Sequence, residues 1–197
     1  MKQVSIILTL LSFSANYLLA QKANKIIGIF RTEIDFQNKV SSYPMQSQEP
    51  HSKIRLNGLF KSKNITLKTQ GSRIKIAKDS LYGFQLTDKS IYRFQNNEVY
   101  KFVDTSTSIS IYYLSLLNRQ IGKTNVTSYY YSIGYHSEIK KLSIKNLLND
   151  FNSNKVFCEA LVTKFKYNTE LIEIDECTNK YKVLSLIETY INLKLKK

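Results

Sequence analysis

SRIKIAKDSLYGFQLTDKSIYRFQNNEVYKFVDTSTSISIYYLSLL, residues 72–117, is a ladder of short apolar runs separated by polar turn residues. Four of the runs cover residues 81–86, 90–95, 98–103 and 108–116. Asp88 and the pair Asn96-Asn97 mark turns between them, and the asparagine pair suits a tight hairpin because Asn tolerates positive φ. Connections this short exclude parallel pairing. The stretch therefore predicts the centre of an antiparallel sheet.

The same period of two continues on both sides of this stretch. Upstream, apolar residues alternate with polar or charged ones in three places, namely Ile54/Leu56, Ile65/Leu67 and Ile74/Ile76. Downstream, residues 125–134 contain an aromatic triplet of high β-propensity. About seven or eight short strands, spaced by about ten residues, predict an antiparallel sheet that curls or closes into a barrel-like form.

Helical periodicity replaces the period of two after residue 137. An apolar stripe in residues 142–151, begun by Ser143, predicts one helix, and residues 156–165 and 181–195 predict two more. Near the N-terminus, Thr32 and Asp35 fit a capping box at the start of a short helix in residues 31–39. Strands followed by helices indicate an α+β fold.

The composition is that of one globular domain. The 197 residues are 43% hydrophobic and 12% aromatic, which supports a buried core and argues against disorder. Two prolines and six glycines leave little room for a long linker. We expect a single α+β domain over residues 21–197, with mainly strands in 21–135 and mainly helices in 140–197.

The first 20 residues have the layout of a secretory signal peptide. Lys2 precedes an apolar run, VSIILTLL at residues 4–11, and Ala20 offers a small residue for cleavage before Gln21. The alternative is a membrane anchor, but polar residues interrupt the run before it reaches the ~20 apolar residues of a span. We expect an exported mature chain without a transmembrane span, whether periplasmic, outer-membrane-associated or secreted.

Export would place Cys158 and Cys177 in an oxidising compartment. A disulfide between them would close a loop of about 20 residues and contribute ~3 kcal/mol in the chain-entropy model. The alternative is that Cys158 is a small buried side chain on a helix and Cys177 lies unpaired in a loop. The sequence leaves both open.

The formal net charge of +14 raises nucleic acid as a partner. Only five of the 29 cations are arginine, however, whereas phosphate recognition favours the bidentate guanidinium. The lysines are also scattered along the chain, with no run longer than a pair. These features favour a solvated lysine surface, so a nucleic-acid partner is not expected.

The most distinctive candidate site is aromatic. Tyr82, Tyr92 and Tyr100 lie in successive predicted strands, with Arg93 beside them. These residues could form an exposed tyrosine-rich binding face for an unknown protein or glycan partner. The other interpretation, which the need to bury these strands favours, is cross-strand aromatic packing in the core.

Catalytic and metal-binding patterns are weak. The two histidines, His51 and His136, lie at no spacing that pairs them with another metal ligand, and there is no GxSxG motif. Acidic residues cluster in residues 170–176, but without the layout of a calcium loop. The sequence therefore assigns no catalytic residue, cofactor or metal.

At Leu81-Tyr82-Gly83-Phe84, Ile91-Tyr92-Arg93-Phe94 and Tyr100-Lys101-Phe102 the sequence resembles a group of uncharacterised exported proteins of Bacteroidota. Those carry a similar rhythm of aromatic-Gly-aromatic, then Tyr-Arg, then Tyr-x-x. The group has no assigned activity, so the resemblance implies export and no catalytic role.

Two functions from different classes remain. The first is a non-enzymatic exported protein that binds a partner through its sheet face or sheet edge. The second is an envelope hydrolase acting through paired carboxylates, for which Asp79, Glu98 and Glu138 are the candidates. Such an enzyme needs two carboxylates ~5–10 Å apart across a cleft.

Overall fold

The computed structural model describes residues 26–43, 53–56, 62–69, 72–104, 109–114 and 128–191. The predicted signal peptide, His51 and the last residues of the third predicted C-terminal helix lie outside the described residues.

The described chain has mainly strands up to residue 133 and mainly helices after residue 143, with two-residue strands at 140–141, 174–175 and 180–181 that the sequence did not predict. In chain order the strands are β1 (Ile26–Phe30), β2 (Lys53–Arg55), β3 (Asn64–Thr69), β4 (Ser72–Ala77), β5 (Gly83–Leu86), β6 (Ile91–Gln95), β7 (Glu98–Asp104), β8 (Ile109–Leu114), β9 (Tyr129–Ile133), β10 (Lys140–Lys141), β11 (Ile174–Asp175) and β12 (Lys180–Tyr181). The helices are α1 (Glu33–Gln37), α2 (Ile144–Asp150), α3 (Lys155–Lys164) and α4 (Lys182–Tyr190).

Seven strands form one antiparallel sheet in the order β1-β5-β6-β7-β8-β9-β10. This confirms the antiparallel centre predicted from residues 72–117. Asn96 and Asn97 connect β6 to β7 with φ of 51° and 64°, as the hairpin prediction requires. The sheet is open, with β1 and β10 at its edges, so the predicted closure into a barrel-like form is not seen.

Strands β2, β3 and β4 form a separate three-stranded sheet, whereas the sequence predicts one continuous sheet. A 3-10 turn, Lys78–Ser80, redirects the chain after β4, and the Lys78 backbone N–H donates to the Lys63 carbonyl at 2.8 Å. The small sheet buries Ile65, Leu67 and Ile76 against the large sheet, in one cluster with Phe84. Alternation identifies the inward residues of a strand but not the sheet to which it belongs.

The helices cover the other end of the same face of the large sheet. Phe157, Leu161 and Val183 are fully buried in one cluster with Ile111 and Tyr131 of β8 and β9. Side chains of Ser143 and Asn154 accept from backbone N–H groups at the starts of α2 and α3. This covered face is therefore sealed by the small sheet at one end and by helices at the other. No helix within the described ranges is both long enough and apolar enough to cross a membrane.

The opposite face, here called the aromatic face, has a much thinner cover. Cross-strand pairing places Tyr100, Phe102 and Tyr112 on it, and these residues pack with Ile139. The cover consists of α1 and the connection between β9 and β10, residues 134–139. The predicted capping box is confirmed, because Thr32 Oγ1 accepts from the Asp35 N–H at 3.1 Å and the Asp35 carboxylate accepts from the Thr32 N–H at 3.0 Å.

Both edges of the large sheet are protected. At β1, Ile29 N–H donates to Ser41 Oγ at 3.1 Å, and the Ile29 carbonyl accepts from the Ser42 N–H at 2.8 Å. At the other edge, β10 is only two residues long, and both are lysines. Short length, charge and a covering loop are the usual ways to block an edge strand.

Candidate functional site

The aromatic face is organised around the ring of Phe36, which α1 places over the large sheet. Its ring centroid lies 5.3–5.5 Å from those of four other aromatic residues, namely Phe30, Tyr82, Phe102 and Tyr135. Two contacts are stacked and two are edge-on, the geometries that aromatic pairs prefer. A helix of five residues is stable here because these contacts hold it.

Arg93 lies beside this ring cluster and is 6% exposed. One guanidinium nitrogen, Nη1, donates to Tyr112 Oη and to Ser132 Oγ, both at 3.3 Å. The other, Nη2, donates to the Ser137 carbonyl at 2.8 Å. The guanidinium also lies 5.1 Å from the ring centroid of Tyr82, a cation–π contact.

The hydrogen-bond partners of Arg93 are neutral oxygens. Burial of a charge is costly unless hydrogen bonds replace its hydration, and these bonds supply that replacement. Since the Ser137 carbonyl belongs to the 134–139 connection, Arg93 fastens that connection to the sheet. Gln95 adds to this, because its side chain accepts from the Ile139 N–H at 2.6 Å and donates to the Ile139 carbonyl at 3.1 Å.

The phenols of Tyr82 and Tyr100 on this face stay protonated in neutral solution. Burial raises the pKa of Tyr82 well above its ordinary value, against the opposing charge of Arg93. Burial, together with neighbouring negative groups, raises the pKa of Tyr100 to about 12. A protonated Tyr82 can donate, and its Oη does so to the Tyr135 carbonyl at 3.2 Å.

A side-chain contact joins the two covering segments. The Glu33 carboxylate on α1 contacts His136 Nδ1 in the 134–139 connection. The Glu33 side chain is 10% exposed, whereas the imidazole is 88% exposed. Glu33 also accepts from the Gln37 side-chain amide at 2.7 Å, within α1.

An open groove of about 510 Å³ remains on the aromatic face, between α1 and Tyr135. Its apolar lining is Phe30, Phe36, Ile91 and Tyr135, and its polar lining is Gln37, Lys39 and Gln85. The volume lies within the roughly 300–1,000 Å³ of small-molecule sites. The groove thus offers aromatic rings, two carboxamides and one ammonium group to a ligand.

The predicted aromatic site is only partly brought together. Tyr82, Arg93 and Tyr100 all belong to the aromatic face, whereas Tyr92 lies on the covered face and stacks on Phe84 at 4.7 Å. Arg93 and Tyr100 are only 6% and 8% exposed, so they pack in the core rather than form an exposed face. These four predicted residues are not among those that line the groove.

Most of the residues that line the groove could not be recognised from the sequence. Phe36, Gln37 and Lys39 follow the capping box that was found, but nothing local places them over the sheet. Gln85 is the exception. It lies two residues after Gly83, which pairs with Arg93, so strand alternation places Gln85 on the same face of the sheet as Arg93. Tyr135 has no such local signal.

The candidate carboxylates of a hydrolase do not line the groove of the aromatic face. Asp79 is exposed in the 3-10 turn after β4, and Glu138 is exposed before β10. The charges of Glu98 and Glu138 both contribute to the raised pKa of Tyr100, so these two lie near that ring. The groove lining described above includes no Asp or Glu.

Three of the four acidic residues in 170–176, namely Glu170, Glu173 and Asp175, bind local protein groups rather than a common centre. Glu170 accepts from the Lys166 and Tyr167 N–H groups, which lowers the pKa of its carboxyl. Asp175 accepts from the N–H groups of the next turn, and Glu173 pairs with Lys182. In the described part of the chain, no three His, Cys, Asp or Glu side chains are placed to hold a metal ion.

The two cysteines are not joined in the structure. Cys158 is half-buried on α3, and its thiol donates to the Phe151 carbonyl at 3.3 Å. Cys177 is exposed and lines a second open groove, of about 690 Å³, between α3 and α4. A disulfide formed by oxidation stays one of the two alternatives that the sequence leaves open for these cysteines.

Comparisons with protein-family models, with curated proteins and with solved structures found no match to this chain. Function must therefore be inferred from the chain's own geometry.

Proposed function

We propose that this chain is an exported binding protein, without catalytic activity, that takes a saccharide in the groove of the aromatic face. The observation that carries the proposal is the lining of that groove, which combines the aromatic residues Phe36 and Tyr135 with the polar residues Gln37, Lys39 and Gln85. Export rests on the sequence layout of residues 1–20 and on the resemblance to exported proteins of Bacteroidota, both of which stay predictions.

The lining suits a short oligosaccharide for three reasons. Aromatic rings provide apolar surfaces for the C–H faces of sugars. The carboxamides of Gln37 and Gln85 can both donate and accept, which matches vicinal hydroxyl groups. The ammonium of Lys39 can pair with a carboxylate or phosphate substituent, so acidic sugars should bind more tightly than neutral ones.

Binding through a sheet edge, the other mode that the sequence allowed, has less support. Ser41 and Ser42 already bond the outer side of Ile29 in β1, and β10 is short and basic. Strand addition needs a row of unpaired backbone groups. A face groove is therefore the better-supported site.

The experiment is calorimetric titration of the protein with a panel of neutral and acidic oligosaccharides of two to four sugars, and with tripeptides of similar size. Lys39→Asn removes the ammonium yet tolerates the φ of 55° at that position, and Gln85→Leu removes the carboxamide while keeping its bulk. We expect each to weaken saccharide binding by about three- to tenfold, the net value of one or two hydrogen bonds.

Thr163→Val and Thr189→Val, in the second groove, are the matched controls and should leave binding unchanged. Preference for the tripeptides, or equal losses in the control variants, would count against a saccharide site on the aromatic face. Separate substitution of Asp79, Glu98 and Glu138 by their amides tests the hydrolase. Glycan cleavage that these changes abolish would replace binding by catalysis as the function.

Export has its own measurement. The intact mass of the protein isolated from its native cells should begin at Gln21. A mass that begins at Met1 would contradict export while leaving the groove proposal to the titration.

A further inference from the structure

A line of polar and aromatic side chains crosses the covered face of the large sheet, on the side opposite the groove described above. It consists of residues that pair with one another across β6, β7, β8 and β9, namely Tyr92, Lys101, Tyr113 and Tyr129. Residues paired in this way lie side by side, at ~4.8 Å per strand, so their side chains can contact one another. We call these four residues the tyrosine row.

The middle of the tyrosine row lies between the two covers of this face. Tyr92 packs against the cluster beneath the small sheet, and Tyr129 packs against the cluster beneath the helices. Lys101 and Tyr113 come between them in the row, and both are half-buried. A strip of the covered face, at the boundary between the small sheet and the helices, therefore remains partly accessible to solvent.

The chemistry of this strip centres on Lys101. Its ammonium lies 5.7 Å from the ring centroid of Tyr113, a cation–π contact. Burial acts to lower the pKa of Lys101, but the nearby Tyr113 hydroxyl, Tyr92 and Asp88 outweigh it and raise that pKa above its ordinary value. The side chain therefore stays an ammonium ion in neutral solution, with the phenols of Tyr92 and Tyr113 close enough to feel its charge.

The Lys101 ammonium is not neutralised by an ion pair. Within the ranges that the structure describes, no carboxylate lies at ion-pair distance from it, whereas other lysines there pair with Asp150, Glu173 and Glu188. The exposed carboxylate of Asp88 accepts from the Ser90 N–H at 2.8 Å, and its charge affects Lys101 less than either phenol does. A half-buried cation without a carboxylate partner is suited to an anionic ligand.

We propose that the tyrosine row binds a tetrahedral oxyanion, a phosphate or sulfate group, through Lys101, Tyr92 and Tyr113. An ammonium carries three N–H donors, and a protonated phenol carries one O–H donor. Burial raises the pKa of Tyr92, which keeps its hydroxyl protonated. A tetrahedral oxyanion has enough oxygens to accept from all three side chains, whereas a carboxylate has only two. Hydrogen bonds between charged groups are also the strong ones.

The alternative is that the row only stabilises the sheet. Tyr92 does stack on Phe84 at 4.7 Å between ring centroids, and such cross-strand pairs stabilise sheets. On β7, however, Lys101 lies between Val99 and Val103, which pack into the clusters at either end of the face. Packing thus accounts for the rings of the row but not for the cation between them.

The test is an NMR titration of the protein with inorganic phosphate, inorganic sulfate, glycerol 2-phosphate and acetate at one ionic strength. Constant ionic strength removes general screening, which would otherwise affect every exposed charge. We expect saturable shifts of the backbone amide signals in β6, β7 and β8, with phosphate and sulfate binding more tightly than acetate. The comparison of inorganic phosphate with glycerol 2-phosphate distinguishes the free anion from an ester as the source of the group.

Four variants change the donors and the neighbouring charge. Lys101→Met removes the ammonium but keeps a flexible stem, so it should weaken phosphate binding at least about tenfold. Tyr92→Phe and Tyr113→Phe each remove one hydroxyl and should each weaken it about three- to tenfold. Asp88→Asn removes a repulsive charge but keeps the oxygen that accepts from Ser90, so it should strengthen binding about two- to fivefold.

The matched controls are Lys145→Met and Tyr167→Phe, which make the same chemical changes at exposed positions of α2 and of the segment after α3. Both should keep phosphate binding within about twofold of the unaltered chain, because exposed charges and hydroxyls far from the row contribute little. Shifts that never saturate, or equal losses in Lys101→Met and Lys145→Met, would overturn the proposal. So would acetate that binds as tightly as phosphate.

Two further variants separate this site from the groove of the aromatic face and from a loss of packing. Lys39→Asn, which should weaken saccharide binding, should leave phosphate binding unchanged. Phosphate binding that depends on Lys39 rather than on Lys101 would place the anion in the groove and contradict the proposal. Lys101→Arg keeps the charge and the N–H donors, so it should bind phosphate within about threefold of the unaltered chain. A loss in Lys101→Arg as large as that in Lys101→Met would show that the lysine acts through packing.

Discussion

The two faces of the large sheet are made from the same strands and yet are stabilised in different ways. The covered face buries aliphatic and aromatic side chains under a second sheet and three helices. The aromatic face is held by stacked rings and by Arg93, under one short helix and one connection. Bulk packing covers both ends of the first face, whereas directed contacts hold the second and leave a groove beside them. We therefore expect mutations on the two faces to differ in how much stability they remove and in how far from the substituted residue their effects extend.

Phe157→Ala should cause the largest loss of stability among these substitutions. Phe157 is fully buried on α3, and its ring meets that of Phe151 edge-on at 5.1 Å. Truncation leaves a cavity in the covered face, which should lower the free energy of unfolding by about 3–5 kcal/mol. Urea unfolding measures it, with Val162→Ala, on the exposed side of the same helix, as control. A loss below ~1 kcal/mol would mean that the helices are not packed as described.

Arg93→Lys should lower the free energy of unfolding by less than Phe157→Ala does. Its effect on local opening should, however, extend further from the substituted residue. An ammonium keeps the charge but cannot bond Tyr112, Ser132 and the Ser137 carbonyl together, so we expect a loss of about 2–3 kcal/mol. Hydrogen exchange should accelerate in residues 134–139 and remain slow in α3. Arg31→Lys, at an exposed position, is the control. Uniformly faster hydrogen exchange across both faces would show that the stabilising effect of Arg93 is not local.

Asp150→Asn should have the smallest effect and the clearest pH dependence. The Asp150 carboxylate accepts from Tyr131 Oη at 2.7 Å and from Lys140 Nζ at 2.5 Å, joining α2 to the edge of the sheet. Burial acts to raise the pKa of Asp150, but the bonds from Lys140 and Tyr131 outweigh it and hold the pKa below its ordinary value of 3.8. We expect a loss of about 1–2 kcal/mol at pH 7.

The sign of the pH effect follows from that lowered pKa. Because the carboxyl is more acidic in the folded chain than in the unfolded chain, its contribution is complete well above pH 3.8 and is lost as the pH falls below that value. The difference in unfolding free energy between the unaltered chain and Asp150→Asn should therefore shrink on acidification below about pH 4. A difference that stays constant down to pH 2 would mean that the carboxylate has no special stabilisation.

Local patterns in the sequence predicted most of the secondary structure. Alternation located β5 to β8 within about two residues, and the caps at Thr32 and Ser143 identified two helix starts. They could not predict the division into two sheets, because inward-facing isoleucines look alike whichever sheet they serve. The groove could not be predicted from the sequence either, because Phe36 and Tyr135 come into contact only in the folded chain. Pairwise geometry between distant segments is not encoded in a local period.

The protected edges of the large sheet have a consequence for behaviour at high concentration. Ser41 and Ser42 occupy the outer side of Ile29, and Lys140-Lys141 place two positive charges at the other edge. A second copy approaching either edge would meet a filled hydrogen-bond position or like charge rather than an open template. An open sheet with such edges resists fibrous self-assembly, so the chain should stay unpolymerised at high concentration.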